Sequence, residues 1–389
     1  MQIEGIRAKN FKSLVDLKLG LTKFNCVIGL NGAGKSTVLQ FIDFVGQQVR
    51  GKIDEWLAER EWEAKDVTSK LTSQPTADFT VSLVADTGER GVCEARFDPS
   101  KLHCTFERIV TPGGTLDVQN GHVRMIDLTG GSPGLEAGIA FSYQGSILSQ
   151  LEDEQLPKSL LGFKNYFKTV KSFDLLTPQF LRERTRVVGG GLGLGGRRLA
   201  SLVEEIDVLK QRELVRALQK VYPQLVTFDV KKSPGGWKQI CIEEAPRGQE
   251  SFPRITTEAQ HINDGLLRTI AIVAELASYE QRFVLFDEIE NGINPEVVEF
   301  VTDTLVNARQ QVLVTTHSPM ILNYLDDETA RRGVIYLYKT PRGHTKSIPF
   351  FSIPSLAKKL TVMGPGEAFV DTNLTKLAQE IAGLDGEEA

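Results

Sequence analysis

The sequence has little cysteine, little histidine and no excess of basic residues. Its four cysteines are scattered through 389 residues without a C-x-x-C pair, which argues against a disulfide framework and a zinc site. His103 precedes Cys104, but adjacent side chains rarely converge on one ion and no further ligands stand at metal spacing. Lysine and arginine number 45 against 50 acidic residues, a net charge of -5. No global positive field therefore attracts nucleic acid or an anionic membrane.

Long apolar segments are also missing. No run reaches the roughly 18 residues that a membrane-spanning helix needs. Residues 1–5 lack the charged-then-apolar pattern of a secretory signal. Both absences predict a cytoplasmic protein without membrane contact, and the length allows a large core in one domain with insertions or in two to three lobes.

Apolar patterning predicts an α/β fold. Alternating segments with glycine turns indicate an antiparallel β meander over 78–128, and a second hairpin lies at 224–243. Apolar residues at helical spacing, at 156–170 and 199–218, make 135–222 mostly helical. Elsewhere apolar strands alternate with helices, as in a parallel sheet covered on both faces. The strands are predicted at 2–8, 24–28, 283–286 and 312–315, and the helices at 35–49, 264–279 and from Pro295.

A phosphate-binding loop is predicted between the second strand and the first helix. Residues 29–37 satisfy the pattern G-x-x-x-x-G-K-[ST]. Glycines let backbone N–H groups turn towards phosphates, and the helix directs its positive end at the same place. The ammonium of Lys35 neutralises phosphate oxygens, and the hydroxyl of Ser36 can bind Mg²⁺. The predicted nucleotide-binding residues are Gly29, Asn31, Gly32, Ala33, Gly34, Lys35, Ser36 and Thr37.

Two carboxylates end the apolar strand at 283–286. Unpaired charge there is costly unless a cation or a water network receives it. We assign Asp287 to Mg²⁺, bound through water, and Glu288 to the general base that polarises the attacking water. The alternative is that Asp287 and Glu288 cap the next helix, but Asn294 and Pro295 offer a better cap and first turn.

A histidine follows the apolar strand at 312–315. A lone histidine is usually structural, and Pro319 stops further strand pairing after it. In a chain with a P-loop and two carboxylates at another strand end, His317 is better interpreted as a sensor of the terminal phosphate. We therefore count it with Glu288 and Lys35 as catalytic.

The order of these motifs resembles that of ABC ATPases in the RecF, chromosome-maintenance and OLD group, which share the opening Asn10-Phe-Lys-Ser13. Three further segments look like prokaryotic AAA-type ATPases of abortive-infection and antiphage systems: Asp264-Gly-Leu-Leu-Arg268, Glu290-Asn-Gly-Ile-Asn-Pro295 and Thr316-His-Ser-Pro319. The resemblance covers nearly the whole chain, although its middle third rests on pattern alone. It implies a P-loop ABC-ATPase head with an antiparallel β meander and an inserted, mostly helical lobe.

The resemblance also implies that a second subunit completes the site. Asn263, Asp264 and Gly265 hold the place of the ABC signature and would press on ATP bound by the partner. Asn263 replaces the family's usual serine, and its amide can still donate to a phosphate oxygen. Residues 291–294 would form the D-loop, which also contacts the partner.

The glutamine of the Q-loop, which joins the ATP site to the inserted lobe, is less clearly marked. Gln144 is our choice because it follows the meander, and Gln150 is the alternative. The glycine run at 191–195 lacks the pattern of a dinucleotide site and is interpreted as a loop.

A basic region surrounds that loop. DNA phosphates could bind it, and solvated helix faces paired with nearby acids are an equally good interpretation. No base-reading module accompanies it. Its members are Arg182, Arg184, Arg186, Arg197 and Arg198, with Lys164, Lys168 and Lys171.

These motifs predict four parts: ATPase lobe I at 1–134, the inserted lobe at 135–222, ATPase lobe II at 223–350 and a helical tail at 351–389. We expect an Mg²⁺-dependent ATPase, gated by nucleotide as a homodimer, that controls a separately encoded nuclease or toxin in antiphage defence or DNA maintenance. Alternatives are a RecF-like DNA-repair ATPase and an ATP-bound scaffold that restrains a toxin. A transporter subunit is disfavoured by the signature and the D-loop.

Overall fold

The computed structural model describes residues 1–130, 134–246, 253–278, 283–374, 376–377 and 380–381. The chain forms two compact units, one of residues 1–172 with 327–389 and one of residues 173–326. Within the described ranges, no helix combines the length and apolarity needed to cross a membrane. The predicted division into four parts remains a prediction.

The strands of both units are short to medium in length. They are β1 (Gln2–Phe11), β2 (Leu14–Gly20), β3 (Phe24–Gly29), β4 (Ala77–Val84), β5 (Arg90–Asp98), β6 (His103–Thr111), β7 (Gly114–Gln119), β8 (His122–Asp127), β9 (Leu135–Gly138), β10 (Val170–Leu175), β11 (Leu225–Ser233), β12 (Trp237–Glu244), β13 (Ile255–Glu258), β14 (Phe283–Asp287), β15 (Gln311–Thr315), β16 (Val334–Lys339) and β17 (Thr345–Pro349).

The α-helices range from one turn to four turns. They are α1 (Lys35–Arg50), α2 (Ile53–Glu59), α3 (Lys158–Lys168), α4 (Pro178–Leu181), α5 (Leu199–Glu205), α6 (Val208–Leu218), α7 (Asp264–Ser278), α8 (Pro295–Val306), α9 (Pro319–Asn323), α10 (Asp327–Gly333), α11 (Pro354–Lys359) and α12 (Pro365–Val370).

An eight-stranded antiparallel sheet dominates the first unit, in the order β2-β1-β4-β5-β6-β7-β8-β9, and it confirms the predicted meander. The turn between β7 and β8 shows why the sequence folds this way. Gln119 pairs with His122, so only Asn120 and Gly121 connect the strands, and both have positive φ, 52° and 73°. Asparagine and glycine tolerate this backbone, which suits the twist of a two-residue hairpin.

Aromatic residues form the core of the first unit around helix α1. The ring of Phe44 lies 5.2 Å from that of Phe11, 5.0 Å from that of Phe97 and 5.5 Å from that of Trp56. Rings at these separations attract each other beyond the gain from burial alone. The cluster fixes α1, and therefore the loop that precedes it, against the sheet.

The first unit also contains the strand that carries the P-loop. Strand β3 is buried over its first five residues and pairs in parallel with β16, which pairs in antiparallel fashion with β17. Leu337 of β16 lies opposite Gly29. Residues from the C-terminal part of the chain thus lie beside the start of the P-loop.

The second unit combines a parallel strand pair with helices and a small antiparallel sheet. Strands β14 and β15 are parallel and almost fully buried, as continuous apolar runs predict. Strands β11, β12 and β13 form the antiparallel sheet, which includes the predicted hairpin. Helix α7 begins at Asp264 as predicted, and Tyr279, its expected last residue, lies outside the described residues.

Several elements differ from the sequence prediction. Strands β2, β9, β10, β13, β16 and β17 had no counterpart in it, and β9 and β10 add two strands to the helices of residues 135–222. The helix predicted over 199–218 is divided because the Asp207 carboxylate accepts hydrogen bonds from the N–H groups of Leu209 and Lys210, each at 3.0 Å. Such a cap starts a new helix within an otherwise continuous apolar pattern.

Candidate nucleotide-binding and hydrolysis residues

The P-loop lies in the first unit, between β3 and α1. Gly29 has φ 152°, and a Cβ there would come within 2.4 Å of the carbonyl oxygen of Leu337. Gly34 has φ 104°, and its Cβ would come within 2.8 Å of the Thr345 hydroxyl. Both positions therefore require glycine for backbone conformation and for space.

Lys35 is 6% exposed, and its ammonium folds back over the loop. Its Nζ donates to the carbonyl oxygens of Gly29, at 2.9 Å, and Leu30, at 3.3 Å. Of the other predicted residues, Asn31, Gly32 and Ser36 are exposed, Gly34 and Thr37 are half-buried and Ala33 is buried. The loop therefore presents backbone and hydroxyl groups to solvent at the start of a 16-residue helix, where an anion is stabilised.

Thr345 stabilises the P-loop by a hydrogen bond, a role that no motif predicted. This fully buried residue donates its hydroxyl to the carbonyl oxygen of Ala33 at 3.0 Å and lies 3.4 Å from the hydroxyl of Ser13. The ammonium of Lys339 donates to the same hydroxyl at 2.9 Å. Burial lowers the pKa of Lys339. The loop conformation thus depends on residues more than 300 positions away.

The opening Asn10-Phe-Lys-Ser13 supports this region. Asn10 is buried with φ 58°, and its amide donates to the carbonyl oxygens of Gln74 and Thr76 at 2.8 and 2.7 Å. The Lys12 ammonium lies 2.8 Å from the centroid of the Trp62 ring, a contact that stabilises a cation at an aromatic face. The side chain of Asn10 therefore holds the segment around residues 74–76.

Asp287, Glu288 and His317, the residues predicted to act in hydrolysis, all lie in the second unit. Strand β14 ends at Asp287, whose Oδ1 accepts a hydrogen bond from the Thr315 hydroxyl at the end of β15. The same hydroxyl accepts from the backbone N–H of Glu288 at 2.9 Å. Thr315 thus links two strand ends, and its place directly before the Thr-His-Ser-Pro segment was the signal that could have identified it.

The candidate base and the candidate sensor are neighbours. Nε2 of His317 lies 3.7 Å from Oε1 of Glu288, and both side chains are a little over one-third exposed. The amide of Asn291 donates to the other oxygen of Glu288 at 3.3 Å, and the backbone N–H of His317 donates to Oε1 of Glu290 at 2.8 Å. Glu288 has φ 44°, an uncommon backbone for glutamate that often marks a functional position.

The signature residues begin helix α7. The Asn263 side chain accepts from the N–H of Leu266 at 2.7 Å, so the carbonyl end of its amide caps the helix. Asn263 and Asp264 are exposed, whereas Gly265 is buried. Gly265 packs closely on the D-loop, since a Cβ there would lie 3.0 Å from the carbonyl oxygen of Gly292. The start of the signature helix therefore packs directly on the predicted D-loop.

The predicted helix cap at Asn294 is only half right. Pro295 occupies the first turn of α8, but the Asn294 side chain makes no capping hydrogen bond. The loop before α8 is instead held by backbone hydrogen bonds such as that from Ile293 to Glu290, at 3.1 Å.

Gln144 lies in the first unit at the start of helix α2. Its Oε1 accepts from the N–H of Asp54 at 3.1 Å, and its amide donates to the Asp54 carboxylate. Gln150 is exposed and donates to the hydroxyl of Ser149 at 2.9 Å. These contacts do not decide between the two as the Q-loop residue, and the assignment remains a prediction.

Each arginine of the basic region contacts groups within the second unit. Arg182 donates to the carbonyl oxygens of Ala259, at 3.0 Å, and Ile262, at 2.7 Å, and forms an ion pair with Asp264. It therefore fixes the segment that enters the signature helix. Of the others, Arg184 donates to Gln239, Arg186 lies over the Trp237 ring, Arg197 lies over the Phe180 ring, and Arg198 lies against Gly190 and Gly193.

Two family models match the chain. One described as "AAA ATPase domain" matches residues 1–173, which include the P-loop. Another, described as "AAA domain, putative AbiEii toxin, Type IV TA system", matches residues 254–323, which include the signature residues, Asp287, Glu288 and His317. No functionally curated protein matches the chain.

Solved SMC head structures are similar to this chain in fold. The SMC head bound to the C-winged helix domain of ScpA is 14% identical with a TM-score of 0.55, over 90% of this chain and 98% of that chain. The Smc head domain with an extended coiled coil, bound to the C-terminal domain of ScpA and derived from Pyrococcus furiosus, is 13% identical with a TM-score of 0.53, over 92% and 99%.

The fold is therefore that of an ABC-ATPase head, as the sequence predicted. The two family models match separate parts of the chain, residues 1–173 and 254–323, and support a P-loop ATPase of the ABC/AAA type. The narrower grouping with RecF and OLD proteins remains a prediction.

Proposed function

We propose that this chain binds and hydrolyses ATP with Mg²⁺, and that nucleotide gates a homodimer which controls a separately encoded partner. The observation that carries the proposal is the cluster in the second unit: Glu288 lies 3.7 Å from His317 and shares the Thr315 hydroxyl with Asp287. A carboxylate beside an imidazole, at the exposed ends of two buried strands, suits the positioning of a water for attack on phosphate.

The roles follow from the chemistry of each side chain. When ATP binds, the ammonium of Lys35 gives up its hydrogen bonds to the carbonyl oxygens of Gly29 and Leu30 and donates to phosphate oxygens instead. Ser36 is the proposed direct ligand of Mg²⁺ and Asp287 the proposed ligand through water, and Oδ1 of Asp287 accepts the Thr315 hydroxyl. When bound, the ion neutralises charge that develops on the phosphate oxygens. Glu288 then accepts a proton from the attacking water while His317 donates to the terminal phosphate.

The exposed start of helix α7 supports the dimer. Asn263 and Asp264 stand at the N-terminus of a 15-residue helix, with the Asn263 amide nitrogen available after its oxygen has capped the helix. We propose that these residues and Gly265 contact ATP held by the P-loop of a second copy, since a helix N-terminus favours phosphate. Residues 291–294, packed against Gly265, would meet the same partner.

The proposed partner is an effector such as a nuclease or a toxin. One matching family model carries AbiEii toxin and type IV toxin–antitoxin systems in its description, and both similar SMC heads were solved with a bound domain of ScpA. These similarities support control of a second protein, in antiphage defence or DNA maintenance. Direct DNA binding by the five arginines gains no support, because each already contacts neighbouring groups.

ATP turnover by the purified protein and by Lys35→Ala tests the enzymatic part. We expect Lys35→Ala to abolish turnover, because the phosphate-neutralising ammonium is lost. Lys23→Ala, which changes an exposed lysine just before β3, should hydrolyse ATP like wild type. Equal turnover by Lys35→Ala and wild type would refute the proposal.

The gating part needs a second measurement. We expect Glu288→Gln to bind ATP without hydrolysing it and to accumulate as a dimer, measured by light scattering on a sizing column. Glu296→Gln, at an exposed position in α8, is the matched control. If Glu288→Gln has the same mass in ATP and in nucleotide-free buffer, the proposal of gating is contradicted. The proposal that the wild type hydrolyses ATP is not affected by that result.

A further inference from the structure

Arg268 is a buried cation with an unsatisfied group. It lies one turn into helix α7 and is 7% exposed. Its Nε donates to the carbonyl oxygen of Leu176 at 2.9 Å. Its Nη1, by contrast, is buried without a hydrogen-bond partner among the described residues. Leaving such a group unpaired is costly, so a state of the protein that supplies a partner for Nη1 gains stability relative to this one.

The guanidinium of Arg268 packs on the backbone of the predicted D-loop. A Cβ at Gly292 would lie 2.3 Å from Nη1 and 3.1 Å from Cζ of Arg268. Gly292 has φ 67°, so this position is suited to glycine in conformation and in space. One turn earlier, Gly265 packs on the carbonyl oxygen of the same Gly292. Two residues of the signature helix thus contact one residue of the D-loop.

Two carboxylates act electrostatically on this guanidinium. Burial lowers the pKa of Arg268, and the charges of Asp264 and Glu288 oppose that effect. Asp264 is paired with Arg182, and Glu288 lies beside His317 and Asn291. The charges of Asp264 and Glu288 therefore act on Arg268, but Arg268 forms no ion pair with either residue in this structure.

We propose that Arg268 is a positioning residue that couples the signature to hydrolysis within one copy. Its guanidinium holds Gly292 against the start of α7, so that phosphate contact at Asn263–Gly265 sets the position of Glu288, four residues before Gly292. A shift of the D-loop would bring a carboxylate or carbonyl oxygen to Nη1 and stabilise the proposed ATP-bound dimer. This inference rests on the proposed function and adds a regulatory connection to it.

Replacing the guanidinium with an uncharged side chain of similar length tests whether Arg268 couples the signature to hydrolysis or only fills space in the core. Arg268→Met removes a buried charge, so the melting temperature should stay the same or rise. The KM for ATP should stay within about twofold and kcat should fall about tenfold, the size expected when coupling between sites is lost. Arg309→Met, at an exposed position after α8, should change none of these values.

Gly292→Ala provides an independent perturbation that keeps the charge. The new Cβ would displace Nη1, and kcat should fall by a similar factor. If the two residues act through one contact, the double variant should be no slower than the slower single variant. Arg268→Lys, which keeps the charge but lacks the planar fork, should recover only part of the rate.

The outcomes are distinct. An unchanged kcat in both Arg268→Met and Gly292→Ala would overturn the inference, and so would a lowered melting temperature with a proportional rise in KM, which indicates a structural role alone. Independent, multiplicative effects of the two substitutions would also overturn it. If the wild type itself does not hydrolyse ATP, the proposed function fails instead.

Discussion

Replacing Glu107 with glutamine should remove a pH dependence from the stability of the first unit. Glu107 is 1% exposed on β6. Its carboxylate accepts hydrogen bonds from the hydroxyl of Ser146 and from the N–H of Ile147, the latter at 2.8 Å. Burial raises the pKa of Glu107 from 4.5 to about 7, against the opposing effect of these two bonds. The carboxyl thus anchors the segment that follows the Q-loop candidate Gln144.

The sign of the effect follows from proton binding. Between pH 4.5 and about 7 the folded protein keeps the Glu107 proton while the unfolded chain has lost it, so the free energy of unfolding decreases as the pH rises. The difference between the two pKa values, at roughly 1.4 kcal/mol for each pH unit, corresponds to about 3 kcal/mol. Below pH 4.5 this contribution is fully present, and above pH 7 it is lost.

Urea unfolding of wild type and Glu107→Gln at several pH values measures this contribution. Glutamine resembles the protonated acid and can keep the bond from Ile147. The variant should therefore match wild type near pH 4.5 and become more stable than wild type by up to about 3 kcal/mol at pH 8. Glu94→Gln, at an exposed position of the neighbouring strand β5, should show a constant difference. A constant difference for Glu107→Gln across this range would refute the reasoning.

Three further substitutions test the P-loop and the signature. Gly34→Ala should lower stability by about 1–3 kcal/mol and weaken ATP binding, because of its φ of 104° and the close Thr345 hydroxyl; Gly32→Ala, with open space around it, should cost less in a thermal melt. Arg182→Gln should weaken ATP-dependent dimerisation, measured by light scattering, because three contacts that hold residues 259–264 are lost; unchanged dimerisation would contradict that role. Asn263→Ala should lower stability by about 1 kcal/mol in urea unfolding through loss of the helix cap, while Asn263→Ser should keep it; equal losses in both would contradict capping.

The local pattern of the chain predicted most of the elements that carry the motifs. Helix α1, predicted over 35–49, spans Lys35–Arg50, and the meander has the predicted hairpins. These succeeded because apolar periodicity and turn residues act over a few positions. Strand β16 was missed because its place is decided by pairing with β3, whose residues lie about 300 positions earlier, and β17 in turn pairs with β16.

The helical prediction for 135–222 was less accurate for a similar reason. The helix expected to reach Val170 ends at Lys168, and β10 begins directly after it. The same apolar residues suit either structure, and the surrounding tertiary packing decides between them. The cap at Asp207 is the opposite case. Its signal is local and present in the sequence, but the prediction followed the continuous apolar pattern instead.

The sequence by itself determined the chemistry of the candidate site. The glycines, Lys35 and Ser36 lie within nine consecutive residues, and their backbone geometry is a local property that the order of residues specifies. Asp287, Glu288 and His317 were identified in the same way, at the ends of apolar strands. Each of these motifs is short enough for local conformation to dominate.

Only the tertiary structure decided what holds those motifs in place. Thr345 reaches the P-loop from 312 residues away, Arg182 reaches Asp264 from 82 residues away, and Arg268 lies against Gly292. No local pattern marks such pairs, because their partners are chosen by packing between distant segments. The P-loop can be predicted from nine residues, whereas the contacts that support it come from segments distant in the sequence.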